Sequence, residues 1–84
     1  MDLNLTGRTV LITGASKGIG AAAAEVFAEE GCHLILAARS GEALNALCER
    51  LRGQHQIQAR AVVTDIRDPA QLAALAEAGR DADI

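Results

Sequence analysis

Two kinds of hydrophobic pattern alternate along this 84-residue chain. Nearly continuous apolar runs at residues 9–13, 33–37 and 58–64 are typical of strands that are buried on both faces of a parallel sheet. After each run, apolar residues recur three or four positions apart, which predicts an amphipathic helix. Strands and helices that alternate in this way form right-handed βαβ units. The pattern therefore predicts an α/β fold, with a doubly wound parallel sheet that extends over roughly three βα units.

The first two predicted helices each have an apolar face that we expect to pack against the sheet. The first helix covers residues 19–30, and the second should stop at Gly53. Their inward positions are Ile19, Ala23, Val26 and Phe27 in the first helix, and Leu44, Leu47, Cys48 and Leu51 in the second.

The third predicted helix has clear start and stop signals. Asp68 is a suitable N-cap residue, Pro69 suits the first helical position, and Gly79 should end the helix. Its inner stripe should consist of Leu72, Leu75 and Ala76. The pair Asp83-Ile84 then looks like the opening of a fourth strand.

Composition and charge narrow the classes of partner. The formal net charge of −3 and an isoelectric point near 5.2 argue against nucleic acid or an anionic membrane surface. No apolar run approaches the roughly 18 residues that a membrane span needs, and residues 1–5 lack the basic region that opens a secretion signal. Cys32 and Cys48 have no metal-ligand spacing and suit a reducing compartment. We therefore expect a cytoplasmic protein without a metal site.

A glycine-rich turn, Thr13-Gly14-Ala15-Ser16-Lys17-Gly18-Ile19-Gly20, joins the first predicted strand to the first helix. The start of a helix offers unpaired N–H groups and the positive end of the helix dipole, which suit a phosphate. Gly14 can adopt the dihedral angles of a tight turn, and Gly18 lets the main chain approach a pyrophosphate without a Cβ in the way. Gly20 would let the helix lie close to the sheet. The turn predicts a dinucleotide site; the alternative is a glycine loop that binds nothing.

The residues T-G-A-S-K-G-I-G have the spacing Gly-x-x-x-Gly-x-Gly, and here the sequence resembles the short-chain dehydrogenase/reductase family over essentially the whole chain. The resemblance implies a Rossmann-type fold and an oxidoreductase that interconverts a carbonyl and a hydroxyl by hydride transfer with a nicotinamide cofactor. It also implies a small carbonyl or alcohol substrate and a homo-oligomer, either a dimer or a tetramer. The turn residues that it assigns to cofactor binding are Gly14, Ser16, Lys17, Gly18, Ile19 and Gly20.

The end of the second predicted strand bears on which nicotinamide cofactor is bound. An NAD-preferring site has Asp or Glu there, on the ribose 2′-hydroxyl, whereas this chain has Ala37-Ala38-Arg39-Ser40. A guanidinium can hold a 2′-phosphate through charge-assisted bonds. Lys17 and Arg39 together resemble the basic pair of the family's NADP(H)-dependent members, so we expect NADP(H) to be preferred, with NAD(H) possible. Ser40 is either a donor to the 2′-phosphate or the N-cap of the second helix.

Asp65 and Ile66 follow the third predicted strand. By resemblance to the family, the Asp65 carboxylate accepts a hydrogen bond from the adenine amino group, and the Ile66 N–H meets a ring nitrogen. The alternative is a turn aspartate that satisfies local N–H groups.

The residues that the family uses for catalysis are missing from this sequence. The family's reaction depends on a Tyr that moves a proton, a Lys four residues later and a Ser, but the chain has no tyrosine and its one lysine is Lys17. We therefore expect residues 1–84 to be the N-terminal half of a single NAD(P)-binding Rossmann domain, with the catalytic half beyond Ile84 and no catalytic residue in this part. The alternatives are a stand-alone, non-catalytic nucleotide-binding module and an interaction domain.

Overall fold

Three parallel strands, each followed by a helix, make up the part of the chain that the computed structural model describes, namely residues 6–16, 18–80 and 82–83. The strands are β1 (Thr9–Thr13), β2 (His33–Ala38) and β3 (Ala59–Val63). The helices are α1 (Gly18–Glu29), α2 (Gly41–Gln54) and α3 (Pro69–Ala78). Strand β2 lies between the other two and is parallel to both. This order confirms the predicted α/β fold with a Rossmann-type arrangement of strands and helices.

The register of the sheet brings the carboxyl ends of the three strands to one edge. Thr13 at the end of β1 is aligned with Ala37, and Ala38 at the end of β2 is aligned with Val63. The residues that follow each strand therefore enter the same region of the molecule. Beneath that edge, the core contains these fully buried side chains of larger volume: Leu34, Leu36, Leu44, Leu51, Val10, Cys32 and Cys48.

Helix α2 packs with the face that its sequence predicts, since Leu44, Leu47, Cys48 and Leu51 are all buried. The predicted stop at Gly53 was wrong, because the helix continues through Gly53 to Gln54. A glycine inside a helix costs only about 1 kcal/mol relative to alanine, which burial of this apolar face outweighs. The helix instead ends where His55 becomes extended, while its N–H still donates to the Leu51 carbonyl.

Helix α1 meets the sheet through small side chains, so its predicted inward face was wrong. Ala24 and Ala28 are the buried residues of the helix, whereas Ile19 is 90% exposed and Val26 is 57% exposed. Phe27 is partly buried against the core. Gly20, Ala24 and Ala28 are spaced by four and form one line along the helix. Close contact with the sheet selects this line of small residues, whereas a hydrophobicity pattern gives more weight to the larger side chains.

Helix α3 begins as predicted but does not bury its whole predicted stripe. The Asp68 carboxylate accepts a hydrogen bond of 3.0 Å from the Ala70 N–H, which confirms the N-cap. Leu75 is buried, but Leu72 and Ala76 are exposed, so the predicted stripe was wrong at those two positions. The contact with the sheet lies at the end of the helix, where a Cβ on Gly79 would come within 2.8 Å of the Leu11 side chain.

The outer edge of β1 is joined by a residue from the end of the chain. The Asp83 N–H donates to the Thr9 carbonyl at 2.8 Å, and the Thr9 N–H donates to the Asp83 carboxylate at 3.0 Å. Asp83 therefore lies beside β1, where a neighbouring strand would begin; Ile84, the second residue of the predicted strand opening, is outside the described residues. Among the helices of the described ranges, none has the length and apolar content that crossing a membrane requires.

We expect both thiols of the folded chain to react slowly with a disulfide reagent such as DTNB. Burial raises the pKa of Cys32 and of Cys48, and the thiolate is the reactive form. The folded chain should react at least about tenfold more slowly than the chain in denaturant, since attack requires local opening. Labelling of both thiols at the unfolded rate would contradict the packed core, and the assay also verifies folding in the binding experiments below.

Candidate functional site

The turn between β1 and α1 has the backbone conformation that its glycines predict. Gly14 has a φ of +65° and Gly18 a φ of +62°, and an added Cβ would meet no atom within 4 Å at either position. Residues other than glycine rarely adopt such φ angles. Between them, Ala15 is buried and its N–H donates to the Ala37 carbonyl of β2 at 3.1 Å. The turn is thus anchored to the sheet while both glycines remain open on their outer side.

Gly20 lies where no side chain fits. A Cβ built on this residue would overlap the Gly14 carbonyl oxygen and come within 2.8 Å of the Gly14 carbonyl carbon. The first turn of α1 is therefore in direct contact with the backbone of the preceding turn. The nearest atoms belong to the turn after β1, so the close approach that Gly20 permits is between α1 and this turn.

A cleft of about 370 Å³ lies at the carboxyl ends of all three strands. This is the position at which open α/β sheets bind their ligands. One wall is the turn after β1, another is the segment that follows β2, and the third is the segment that follows β3. The described residues that line the cleft are Thr13, Gly14, Ser16, Ala37, Ala38, Arg39, Ser40, Thr64 and Ile66.

The wall that follows β2 contains an exposed guanidinium at the start of a helix. Arg39 directly follows the last residue of β2 and is exposed. Ser40 occupies the N-cap position of α2 with an extended backbone, but its side chain makes no capping hydrogen bond. Of the two interpretations left open by the sequence, the structure gives Ser40 the cap position without the cap bond. Its hydroxyl and the first N–H groups of α2 therefore lie beside Arg39 as donors for an anion.

The segment that follows β3 is an ordered turn held by several hydrogen bonds. The Asp65 N–H donates to the Gln71 side chain at 2.7 Å, and the Asp68 N–H donates to the Asp65 carbonyl at 3.0 Å. The Asp65 carboxylate accepts a hydrogen bond from the Arg67 N–H at 3.0 Å, which is the local turn role that the sequence analysis kept as the alternative. Ile66, with 60% of its surface exposed, lines the cleft beside this turn.

Arg67, a cation that sequence reasoning missed, follows the cleft-lining residue Ile66 in the chain. The Arg67 guanidinium donates to both oxygens of Asp65, through Nε and Nη2, at 3.1 Å each. These hydrogen bonds, with the Arg67 backbone N–H and the more distant charge of Arg39, hold the pKa of the Asp65 carboxyl below its usual value. A basic residue two positions after an aspartate at a strand end is the sequence signal that could have indicated this pair.

Most of the predicted cofactor-binding residues surround this one cleft. Five of the ten predicted residues line it directly, namely Gly14, Ser16, Arg39, Ser40 and Ile66. Four others are adjacent in the chain to lining residues or belong to the first turn of α1: Gly18, Ile19, Gly20 and Asp65. Lys17, the second cation of the predicted basic pair, lies outside the described residues. The lining residues that the sequence did not single out are Thr13, Ala37, Ala38 and Thr64.

The chemistry that this arrangement offers is anion and nucleotide binding. Helix starts, glycine backbone and a guanidinium provide donors and positive charge. The sequence contains no tyrosine to move a proton at a substrate oxygen. Within the described ranges, no cluster of three or more His, Cys, Asp or Glu side chains could hold a metal ion.

Comparisons with known proteins agree with this site. A family model described as short chain dehydrogenase matches residues 8–82. The chain is 49% identical over 70 residues to the oxidoreductase UcpA of Escherichia coli (strain K12), an alignment that covers 83% of this chain and 26% of UcpA. The chain thus spans about a quarter of the length of that curated relative.

Two solved structures show the same arrangement of strands and helices. L-sorbose reductase from Gluconobacter frateurii, complexed with NADPH and L-sorbose, is 36% identical with a TM-score of 0.89, over 95% of this chain and 30% of that one. A short chain dehydrogenase/reductase from Burkholderia phymatum in complex with NAD is 37% identical with a TM-score of 0.83, over 93% of this chain and 27% of that one. Chains with this fold thus bind nicotinamide dinucleotides of both kinds.

Proposed function

The chain belongs to the short-chain dehydrogenase family, and we propose that its cleft binds NADP(H) for an oxidoreductase that interconverts a carbonyl and a hydroxyl group. The observation that carries this proposal is that the glycine-rich turn and the Arg39-Ser40 segment face one cleft. Among the described residues that line the cleft there is no acidic side chain to repel a 2′-phosphate. When bound, a nicotinamide cofactor supplies or accepts the hydride of such a reaction.

The turn after β1 fits the diphosphate of a dinucleotide. Its two positive-φ glycines leave open space on their outer side, and the first N–H groups of α1 have no partner within the helix. In this proposal Gly14, Ser16, Gly18 and the backbone of Ile19 surround the diphosphate. Gly20 keeps the helix start close to it.

The ends of β2 and β3 fit the adenosine part of the cofactor. Arg39 and Ser40 would hold the 2′-phosphate, since a guanidinium forms charge-assisted hydrogen bonds with phosphate and a helix start favours an anion. Asp65 and Ile66 would contact the adenine. An acidic residue at the end of β2, which favours NAD, is replaced here by Arg39.

The proposal for the whole protein reaches further than these residues. We propose that a catalytic part follows Ile84. It would supply the catalytic tyrosine and the lysine four residues later, a pair that this sequence lacks because it has no tyrosine. The whole protein would be a homo-oligomer acting on a small carbonyl or alcohol substrate, as the family implies. The two thiols, Cys32 and Cys48, support the proposal of a cytoplasmic location. The reading frame beyond Ile84 tests this part: we expect an Asn-Asn-Ala-Gly segment and later Tyr-x-x-x-Lys, whereas a stop codon would favour a stand-alone nucleotide-binding module.

Titration of the 84-residue chain with NADPH and with NADH tests the binding proposal directly. Because the chain has no tryptophan or tyrosine, the emission of the reduced nicotinamide can be followed with little protein background. We expect saturable binding of both cofactors, with NADPH bound at least about tenfold more tightly because of its charge-assisted bonds to Arg39. In the amide spectrum of the isotope-labelled chain, the signals of Gly14, Gly18 and Gly20 should shift on binding.

The folding assay with DTNB distinguishes a negative result from an unfolded sample. A folded chain that shows no saturable signal with either cofactor would overturn the proposal and favour an interaction domain. A folded chain that prefers NADH would overturn the assignment of the 2′-phosphate to Arg39.

A further inference from the structure

Asp65 and Arg67 form a bidentate ion pair in the segment after β3, on either side in the chain of Ile66, which lines the cleft. The guanidinium of Arg67 contacts both carboxylate oxygens, and the Arg67 backbone N–H adds a third hydrogen bond. The Arg67 side chain is 73% exposed and that of Asp65 is 33% exposed. Both side chains are therefore in contact with solvent, and the pair places opposite charges next to a residue that lines the cleft.

Asp65 belongs to the segment after β3 that borders the same cleft as Arg39, the residue proposed to hold the 2′-phosphate. Thr64 and Ile66, its neighbours in the chain, both line the cleft, as does Arg39. The hydrogen bonds and charge of Arg67 are the main causes that lower the pKa of Asp65, and the charge of Arg39 acts in the same direction with a smaller effect. A bare carboxylate here would attract Arg39 and repel a 2′-phosphate, for the same reason that an acid after the second strand favours NAD.

Resting on the proposed function, we propose that Arg67 is a specificity-determining residue for NADP(H): by pairing with Asp65 it neutralises the carboxylate beside the cleft and leaves the charge of Arg39 available to the 2′-phosphate. The carboxylate can still accept from the adenine amino group through Oδ2, which takes one hydrogen bond from Arg67 and keeps a second lone pair, whereas Oδ1 already accepts two. The ion pair thus lets the Asp65 carboxylate accept a hydrogen bond from the adenine without repelling the 2′-phosphate.

The test compares the affinities of four variants for NADPH and NADH. Arg67→Ala should weaken NADPH binding by about three- to tenfold, as expected for one uncompensated charge at intermediate range, with NADH changed by less than about twofold. The loss should shrink in high salt, because added ions screen exposed charges. Arg67→Lys, which keeps the charge, should retain most of the preference. In the double variant Asp65→Asn/Arg67→Ala, the preference for NADPH should return, since the carboxylate has been removed.

Arg80→Ala is the matched control. Arg80 is 72% exposed and pairs with Glu77 at 3.2 Å, but it lies just past the end of α3, toward Asp83 and the amino end of β1. This variant should leave both affinities unchanged.

The outcomes separate the two proposals. A folded wild-type chain that binds neither cofactor overturns the proposed function and this inference with it. A wild-type chain that prefers NADPH, together with an Arg67→Ala variant of unchanged preference, overturns only the role of Arg67. Equal losses of NADPH and NADH in that variant would also overturn it, since Arg67 would then act by orienting Asp65. No recovery in the double variant would overturn it too, since the charge of Arg67 would then act on the 2′-phosphate directly.

Discussion

Replacing Arg39 by Asp is expected to weaken NADPH binding by about 10- to 150-fold, because a hydrogen bond to a charged group contributes about 1.5–3 kcal/mol. The new carboxylate would also repel the 2′-phosphate and would lie where NAD-preferring sites have an acid. NADH has no 2′-phosphate, so its affinity should change by threefold or less, roughly the effect of losing or gaining one neutral contact. Titration of the variant with each cofactor measures both numbers.

Arg60→Asp is the control for the change in net charge. Arg60 is an exposed residue of β3 that does not line the cleft. Its reversal changes the charge of the chain by the same amount and should leave the preference for NADPH intact. Equal losses of NADPH and NADH in Arg39→Asp would remove Arg39 from the 2′-phosphate and make it a general contact to the dinucleotide.

The second large effect is expected for Gly20→Ala. The added methyl group would overlap the Gly14 carbonyl oxygen, so α1 must shift away from the turn. Such overpacking costs about 1–3 kcal/mol in the free energy of unfolding. The affinities for NADPH and NADH should fall together, because the helix start moves away from the diphosphate that both cofactors share. Denaturant unfolding and the two titrations measure these effects.

Gly53→Ala provides the contrasting case within the same chain. Gly53 lies inside α2 and is exposed, and an added Cβ there would meet no atom within 4 Å. The substitution should raise the free energy of unfolding by up to about 1 kcal/mol, since alanine is the better helix former. A Gly20→Ala variant as stable as Gly53→Ala would show that the contact between α1 and the turn is looser than described.

The sequence predicts the sheet and the turn well because both depend on local rules. The continuous apolar runs identify all three strands to within one residue at each end. Gly14 and Gly18 have the positive φ angles that a tight turn requires. The buried face of α2 follows from four large apolar residues at helical spacing. In each case a single property, hydrophobicity or backbone freedom, decides the outcome.

The inward faces of α1 and α3 could not be predicted in the same way. Periodicity gives weight to large side chains, so it selected Ile19 and Val26, but the α1 contact distance is set by Gly20 against the backbone of Gly14. Helix α3 approaches the sheet near its end, where a Cβ on Gly79 would meet Leu11, while Leu72 is exposed. Contacts of this kind depend on how elements meet in three dimensions.

The candidate site also combines features that the sequence predicts with features that depend on contacts in three dimensions. Its main residues were predictable, because a glycine-rich turn and the ends of parallel strands converge at one edge of a sheet. The Asp65–Arg67 pair had one local signal, a basic residue two positions after an aspartate, but its geometry depends on a turn whose hydrogen bonds involve Gln71 and Asp68. The cofactor-binding roles of Gly14, Ser16, Arg39, Ser40 and Ile66 stay predictions until the titrations are made.

The two ends of the parallel strands differ in which residues they constrain. The cleft lies at the carboxyl ends, whereas the connections from α1 to β2 and from α2 to β3 lie at the amino ends. There the His33 imidazole accepts a hydrogen bond of 2.9 Å from the Gln58 N–H. Mutations that lengthen or shorten those connections are expected to change the free energy of unfolding without changing the residues that line the cleft. An engineered insertion in one of these connections is therefore expected to change the free energy of unfolding more than the affinity for a cofactor.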